Sequence, residues 1–254
     1  MTLDPSAIEQ GLAQGEFFLE YLPTIALDDG RCVGAEALIR WSRAGAIVQP
    51  DEFIPVVENT PVSGRLTHWV MDTIAAELSH WLRAHPGVHV GINVPPELLG
   101  RGGITYAAER SGLAEFARQI VLEVTERGIP DALGIKGLDA AHAVGVRVAL
   151  DDVSLTGPNL AILARVPFHI VKVDRAQVRQ IEPSNPRPGW LHGLAALLAT
   201  TKLDVVAEGV ETEFQVSVLR ECGIRHAQGF YFAQPMSARE LEAFHLRRRP
   251  LEVP

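Results

Sequence analysis

The chain has 254 residues, 47% of them hydrophobic and 21% charged, so it is long enough to bury a large core. Its formal net charge of −8 argues against a surface for polymeric nucleic acid, which needs clustered lysine and arginine. There is no apolar run of membrane-helix length and no signal-peptide pattern, and Cys32 and Cys222 lie far apart, so we expect a cytoplasmic protein with reduced thiols and no membrane insertion.

Short apolar runs alternate with helical patterns along the whole chain, which is typical of a single α/β domain spanning residues 1–254. The sequence predicts strands at 17–27, 32–41, 89–94, 119–126, 146–152, 169–174, 203–208 and 224–230. Helical patterns are clearest at 65–85 and 212–223, and the proline-rich residues 182–190 predict a loop before another helix. The first two strands are joined by DDGR, and this Asp-Gly turn predicts an antiparallel hairpin.

Eight strands with intervening helices favour a closed (β/α)8 barrel of the TIM type, although an open doubly wound sheet also fits the count. Alternation along the strands supports the barrel, because it places polar residues on one face of seven strands, toward their carboxyl ends. These inward polar residues include Glu36, Arg40, Asn93, Glu123, Asp151, Lys172, Glu208 and Gln228. Burying so many polar groups would be very costly without a metal or ligand, so the pattern predicts a site.

Each of these residues also has a simple structural explanation. An isolated pair such as Asp151 and Asp152 more often marks the end of a strand and the start of an Asp-initiated turn. Glu36 with Arg40, or Glu123 with another strand's lysine, would form an ordinary ion pair. The histidines show no metal-ligand spacing, and there is no P-loop or dinucleotide fingerprint that would indicate a nucleotide cofactor. The joint occurrence on seven strands is what favours a site.

The motifs on these strands resemble those of the EAL family of cyclic di-GMP phosphodiesterases. In chain order they are EALIRW (36–41), INV (92–94), LEVTE (122–126), ALDD (149–152), KVD (172–174), AEGVE (207–211) and QGFYF (228–232). DEFIPVVE (51–58) is similar to a further family segment. The resemblance covers nearly the whole chain, and it implies a (β/α)8 barrel with an antiparallel strand near its start.

The resemblance also implies a chemistry, the hydrolysis of one phosphodiester bond of cyclic di-GMP to linear pGpG with two Mg²⁺ or Mn²⁺ ions per site. It implies that Glu36, Asn93, Glu123 and Asp151 hold the first ion. Asp151 would also bridge to the second ion, and Asp152 would complete the ligands of that ion. Lys172 would orient the nucleophilic water and Glu208 would act as general base. The resemblance also implies four residues on the substrate side: Leu38, Arg40, Gln228 and Glu211. Arg40 would contact a substrate phosphate, Gln228 would bind a metal-linked water, and Glu211 would support the ligands of the second ion.

The sequence departs from the family in the loop after the two aspartates. The family has FGTGYSS there, whereas this chain has VSLTGPN at 153–159, although the loop anchor Glu126 is retained. In the family this loop couples the metal site to a homodimer interface. Leu22 also replaces a family glutamine that would contact guanine.

We therefore expect a phosphodiesterase of weak or regulated activity, with a non-catalytic cyclic di-GMP receptor as the alternative. A third reading, a barrel enzyme that uses Lys172 as base with one metal, is disfavoured by AEGVE and QGFYF. Retention of the whole ligand set favours the phosphodiesterase.

Overall fold

The computed structural model describes residues 3–125, 131–153 and 168–248, apart from the side chain of Asp152. Within these ranges the strands form a single sheet. They are β1 (Phe17–Ala26), β2 (Cys32–Arg43), β3 (Ala46–Val48), β4 (His89–Asn93), β5 (Ile120–Thr125), β6 (Arg147–Val153), β7 (Ile170–Val173), β8 (Asp204–Ala207) and β9 (His226–Ala227).

The sheet closes into an eight-stranded barrel because β1 pairs with both β2 and β9. Around the barrel the order is β1, β9, β8, β7, β6, β5, β4 and β2, while β3 extends β2 outside the ring. β1 runs antiparallel to both of its neighbours, and the other barrel pairings are parallel. The predicted barrel with an antiparallel strand near its start is confirmed, and the open sheet is wrong.

Helices follow most of the strands. They are α1 (Pro5–Gln14), α2 (Pro50–Val57), α3 (Pro61–Ala84), α4 (Gly103–Ser111), α5 (Ala132–Ala143), α6 (Arg175–Val178), α7 (Gly189–Thr200), α8 (Glu213–Glu221) and α9 (Ala238–Arg247), with 3-10 turns at Pro96–Leu98 and Leu113–Gln119. The predicted helix at 65–85 is α3, which begins earlier because Thr60 caps it and Pro61 occupies its first position. In the described ranges no helix is both long and apolar enough to span a bilayer.

The eight predicted strands all overlap observed ones, but their ends differ. The last predicted strand, 224–230, is reduced to His226–Ala227, since the chain turns at Gly229 with a φ of 149°. β3 was not predicted, because it has only three residues and follows a turn in which Ala44 and Gly45 both have positive φ.

The inside of the barrel contains an apolar layer beneath the predicted site. Its members are Val121, Ala149, Ile170 and Val206, all buried and in mutual contact. On each of these strands the next inward residue, two positions later, is one of the predicted polar residues. Glu123, Asp151, Lys172 and Glu208 therefore lie directly above this apolar layer, on the side of the carboxyl ends of the strands.

Candidate active site

The ammonium group of Lys172 lies among four carboxylates. Its Nζ is 2.9 Å from Glu36 Oε2, 2.8 Å from Glu123 Oε2, 3.1 Å from Asp151 Oδ1 and 2.7 Å from Glu208 Oε1. The Lys172 side chain is only 3% exposed, and that of Glu208, at 19%, is the most exposed of the five. We call these five residues the carboxylate cluster. They come from β2, β5, β6, β7 and the end of β8, so only the closed barrel brings them together.

The oxygen atoms of the cluster suit a hard cation. Glu36, Glu123 and Asp151 each offer one carboxylate oxygen, and these three atoms lie within 4.8 Å of one another. Asn93 stands beside them, since its Nδ2 donates to Glu36 Oε1 at 2.9 Å. Carboxylate and amide oxygens are the ligands that Mg²⁺ and similar ions prefer in proteins. The donor set therefore fits a divalent cation.

The pKa values of the cluster also indicate a shortage of positive charge. Burial, reinforced by the neighbouring Glu36 and Asp151, raises the pKa of Glu123 well above its usual range. Burial likewise raises the pKa of Glu208 to about 8, with Asp151 and Glu36 adding to the effect against the attraction of Lys172. One ammonium group thus does not offset four carboxylates, and the site favours either bound protons or a further cation.

Lys172 and Glu36 respond in the opposite way. Burial alone would lower the pKa of Lys172, but the carboxylates of Asp151, Glu123, Glu208 and Glu36 raise it well above its usual range. Burial would raise the pKa of Glu36, but the charge and hydrogen bond of Lys172 bring it below its usual range. Lys172 is therefore a permanent cation at neutral pH.

Gly91 makes room for the cluster. A Cβ atom built at this position of β4 would overlap the carboxylate of Glu123, which crosses the space above the glycine. A glycine on the inward face of a strand allows this close approach, and any larger residue would displace the carboxylate. Alternation along β4 places Gly91 on the same face as Asn93, two positions later, but does not predict the contact with Glu123.

The amide of Gln228 is held by the first strand of the barrel. Its Nε2 donates to the carbonyl oxygen of Leu22 at 3.2 Å and to Thr24 Oγ1 at 3.1 Å. A carbonyl oxygen can only accept, so this contact fixes which end of the amide is nitrogen. In the described part of the chain, Oε1 of Gln228 is then a buried acceptor without a protein partner. Such an acceptor suits a bound water or ligand.

The other predicted substrate residues divide into two groups. Leu38 lines a cavity of about 430 Å³ together with Asn93 and Glu123, so it lies beside the carboxylate cluster. Arg40 and Glu211 are instead engaged in ion pairs. Arg40 Nε lies 2.8 Å from Glu20 Oε2, and Glu211 Oε1 lies 2.9 Å from Nη2 of Arg179, which follows α6. Their predicted roles stay predictions.

Two further predicted positions lie wholly or partly outside the described residues. The backbone of Asp152 belongs to β6, but its side chain is outside the described part of the structure, and so is the whole of Glu126. Residues 154–159 of the unusual loop also lie outside it. The first residue of that stretch, Val153, is fully buried and pairs with Val173.

Comparison with known proteins identifies the family. A model of the EAL domain matches residues 6–235. The probable cyclic di-GMP phosphodiesterase PdeB of Escherichia coli strain K12 is 30% identical over 234 residues, which are 90% of this chain and 44% of that protein. The cyclic di-GMP phosphodiesterase NbdA of Pseudomonas aeruginosa is 33% identical over 245 residues, 93% of this chain and 31% of that protein. This chain therefore spans less than half of either relative.

A solved structure gives the same answer for the fold. The phosphodiesterase of PaMucR in complex with c-di-GMP superposes with a TM-score of 0.82 at 28% identity, covering 93% of this chain and 98% of that one. MucR is a protein of Pseudomonas aeruginosa. With the family match, the barrel and the carboxylate cluster in agreement, this chain belongs to the EAL domain family.

Proposed function

We propose that the chain hydrolyses one phosphodiester bond of cyclic di-GMP to give linear pGpG, with two divalent cations, Mg²⁺ or Mn²⁺. The observation that carries this proposal is the buried cluster of four carboxylates around Lys172 at the carboxyl ends of the strands. The names of the relatives support the substrate. Because the chain spans only part of those proteins, the activity and substrate are proposals for this chain.

The cation ligands follow from the donor set. Glu36, Asn93, Glu123 and Asp151 would hold the first ion, while Asp151 and Asp152 would serve the second. Divalent ions in such a site lower the pKa of a bound water and stabilise the negative charge that develops on the phosphate. The protein supplies the rigid arrangement, since three carboxylates from three different strands already converge.

Lys172 and Glu208 have different roles in this proposal. Lys172 stays protonated at neutral pH because carboxylates surround it, so it donates hydrogen bonds and would orient the attacking water. Glu208 is the most exposed carboxylate of the cluster, which makes it the one best placed to meet a substrate-side water. We assign it the role of general base, accepting the proton of that water as the bond to phosphorus forms. Bound cations would offset the charges of Asp151 and Glu36 and so lower the pKa of Glu208 from about 8, which leaves it ionised at neutral pH.

On the substrate side, the cavity lined by Leu38 lies against the cluster and would receive part of cyclic di-GMP. Gln228 Oε1 would accept a hydrogen bond from a cation-linked water, since it is a buried acceptor with its nitrogen end already engaged. Arg40 would contact a substrate phosphate at the mouth, where its guanidinium is now paired with Glu20. Glu211 would lie near the second ion and help to position the groups around it.

The organisation of the protein is also part of the proposal. We propose a single domain over residues 1–254, because the barrel closes only when β1 meets β9 from the far end of the chain. The two cysteines lie far apart in the sequence and fit no zinc-type spacing, so a reducing, cytoplasmic environment is proposed for them. A homodimer is proposed from the family resemblance, and sedimentation velocity would measure it directly.

The function is tested by incubating the purified protein with cyclic di-GMP and either Mg²⁺ or Mn²⁺, then separating the products by chromatography. We expect pGpG with the cations and none with EDTA. Binding of cyclic di-GMP without any pGpG would instead support the receptor alternative. Neither binding nor product would contradict the proposed substrate.

Replacing Gly91 with alanine tests the geometry of the cluster. The new methyl group would displace the Glu123 carboxylate, so we expect hydrolysis to fall by at least about 10-fold, since small misplacements of catalytic groups are costly. Gly193→Ala is the matched control, because a Cβ atom there meets nothing within 4 Å. Steady-state kinetics on the two variants make the comparison. Equal activity in both would show that Glu123 tolerates the shift.

The loop after Asp152 supplies another prediction. Val153 is buried in β6, so a graft should keep it and replace only residues 154–159 with the family's GTGYSS. If the native loop holds the second cation poorly, the graft raises kcat and strengthens any dimer with little change in cyclic di-GMP affinity. Kinetics, binding and sedimentation measurements on the grafted protein check this. An unchanged kcat would show that the native loop already works.

A further inference from the structure

A second cavity, of about 660 Å³, lies at the opposite end of the barrel from the carboxylate cluster. Its walls come from the start of β2, the end of α3 with the turn into β4, and the end of α9. β2 enters the barrel at Cys32 and reaches Glu36 four residues later, which separates the two places by about 13 Å along the strand at ~3.3 Å per residue. We call it the amino-terminal cavity.

The ionisable side chains around this cavity are almost all basic. The lining contains Arg31, His85, His245 and Arg248 together with the thiol of Cys32, and it contains no aspartate or glutamate. This composition is unusual for a chain with 31 acidic and 23 basic residues. A concave, basic wall concentrates positive potential and therefore favours anions.

The two arginines converge on the turn between β1 and β2. Arg248 Nη1 donates to the carbonyl oxygen of Gly30 at 3.2 Å, which places its guanidinium beside the residue that precedes Arg31. Arg31 is oriented by Asp29, whose carboxylate accepts from its backbone nitrogen and its Nε. Each guanidinium carries five N–H donors, so both keep donor capacity beyond these contacts. A guanidinium group with N–H donors to spare matches the oxygens of a phosphate.

Two histidines line the cavity together with the arginines. The rings of His85 and His245 stack with centroids 4.7 Å apart and planes inclined by 30°, and Trp81 meets His245 edge to face at 5.5 Å. His245 Nδ1 lies 3.2 Å from the carbonyl oxygen of Cys32, so this nitrogen carries a proton and donates. The cavity is larger than a phosphate needs, and an imidazole ring that lines it can stack on a planar ring.

Arg248 has a structural explanation, because it follows α9 and a cation there interacts favourably with the helix C-terminus. Arg31 likewise has its ion pair with Asp29, but neither contact fills the cavity that both arginines line. We propose that the amino-terminal cavity binds a phosphate-bearing small molecule, with Arg31 and Arg248 holding the phosphate. The proposal does not depend on the function of the carboxylate cluster.

Calorimetric titration of the full chain tests the site, with inorganic phosphate and 5′-GMP as probes. EDTA is present to remove cations, and chloride keeps the ionic strength constant. We expect saturable binding that Arg31→Gln and Arg248→Gln each weaken at least 10-fold. Arg110→Gln is the matched control, because Arg110 also forms an exposed ion pair with an aspartate but lies on α4, outside the lining.

The two probes separate the sources of the phosphate. Tighter binding of 5′-GMP than of phosphate would support a nucleotide-like ligand whose ring meets His85 and His245, and equal binding would support a site for the phosphate group alone. Melting temperatures of all variants verify that they fold. Absence of saturable binding by either probe, or binding that survives the double variant Arg31→Gln with Arg248→Gln, would overturn the proposal.

Discussion

Replacing Lys172 with methionine is expected to destabilise the cation-free protein by about 3–5 kcal/mol, because removal of one partner leaves buried charges without compensation. Four carboxylates would then face one another with no ammonium between them. Methionine replaces the alkyl part of the side chain and lacks only the ammonium group, so the loss is mainly one of charge. Urea unfolding in EDTA measures the effect, with Lys202→Met as a control at an exposed lysine.

Divalent cations should reverse much of this loss, because an ion bound to the carboxylates of the native state replaces the missing positive charge. We therefore expect Mn²⁺ to stabilise Lys172→Met more than it stabilises the wild type. Hydrolysis should still fall by about 10²–10⁴-fold, since no group then orients the attacking water. If the variant and the Lys202→Met control unfold alike, and Mn²⁺ affects neither, the charge balance inferred for the cluster is wrong.

Glu208→Gln is expected to reduce kcat by about 10²–10⁴-fold while substrate binding is largely kept, as for the loss of a general base. The glutamine retains the shape of the side chain and its contact with Lys172 but cannot accept a proton. Steady-state kinetics and a separate binding measurement distinguish the two quantities. Lost affinity with unchanged kcat would make Glu208 a residue that contacts substrate and not the base.

Glu208→Gln should also change how the free energy of unfolding depends on pH. Burial raises the pKa of Glu208 to about 8 in the folded protein, from roughly 4.3 in an unfolded chain. A raised folded pKa contributes stability that is complete below the unfolded value and is lost as the pH rises through the folded one. In EDTA the contribution of Glu208 to the free energy of unfolding should therefore fall between pH 5 and pH 8, approximately the interval between those two values. The lowered pKa values of His89 and His226 act in the opposite direction below about pH 6.5, so the test compares the variant with the wild type at each pH.

Glu208→Gln should flatten this fall by an amount on the order of a few kcal/mol, because glutamine does not titrate. Some slope should remain, since the pKa of Glu123 is also raised. The pKa of Glu36 is lowered, and its contribution changes only at more acidic pH. Unfolding titrations at several pH values measure the slope. Identical slopes for the variant and the wild type would refute a strongly raised pKa for Glu208.

Much of the barrel and of the cluster follows from strand alternation. The Asp-Gly turn predicted the antiparallel pairing of β1 and β2, and the period of two placed Glu123, Asp151 and Lys172 on the inner face. These are local patterns, and a closed barrel converts them into one site. The three-residue β3 has too few residues for such a pattern.

Contacts between distant elements were not predictable in this way. The ion pair of Arg40 with Glu20 depends on the register of β1 against β2. The hydrogen bonds from Gln228 to Leu22 and Thr24 join residues more than 200 positions apart in the chain. The amino-terminal cavity likewise joins three separate elements. Alternation tells which face a side chain occupies but not which partner it meets there.

Counting the Mn²⁺ ions bound by the carboxylate cluster tests the central claim most directly. Electron paramagnetic resonance, with cyclic di-GMP present at a temperature where turnover is slow, should show two bound ions per wild-type chain. Glu36→Ala and Asp151→Ala should lose one or both ions and abolish pGpG formation, while a substitution outside the barrel interior such as Arg110→Gln should bind as the wild type does. Wild-type Mn²⁺ binding and turnover in both alanine variants would contradict the assignment of this cluster as the catalytic cation site.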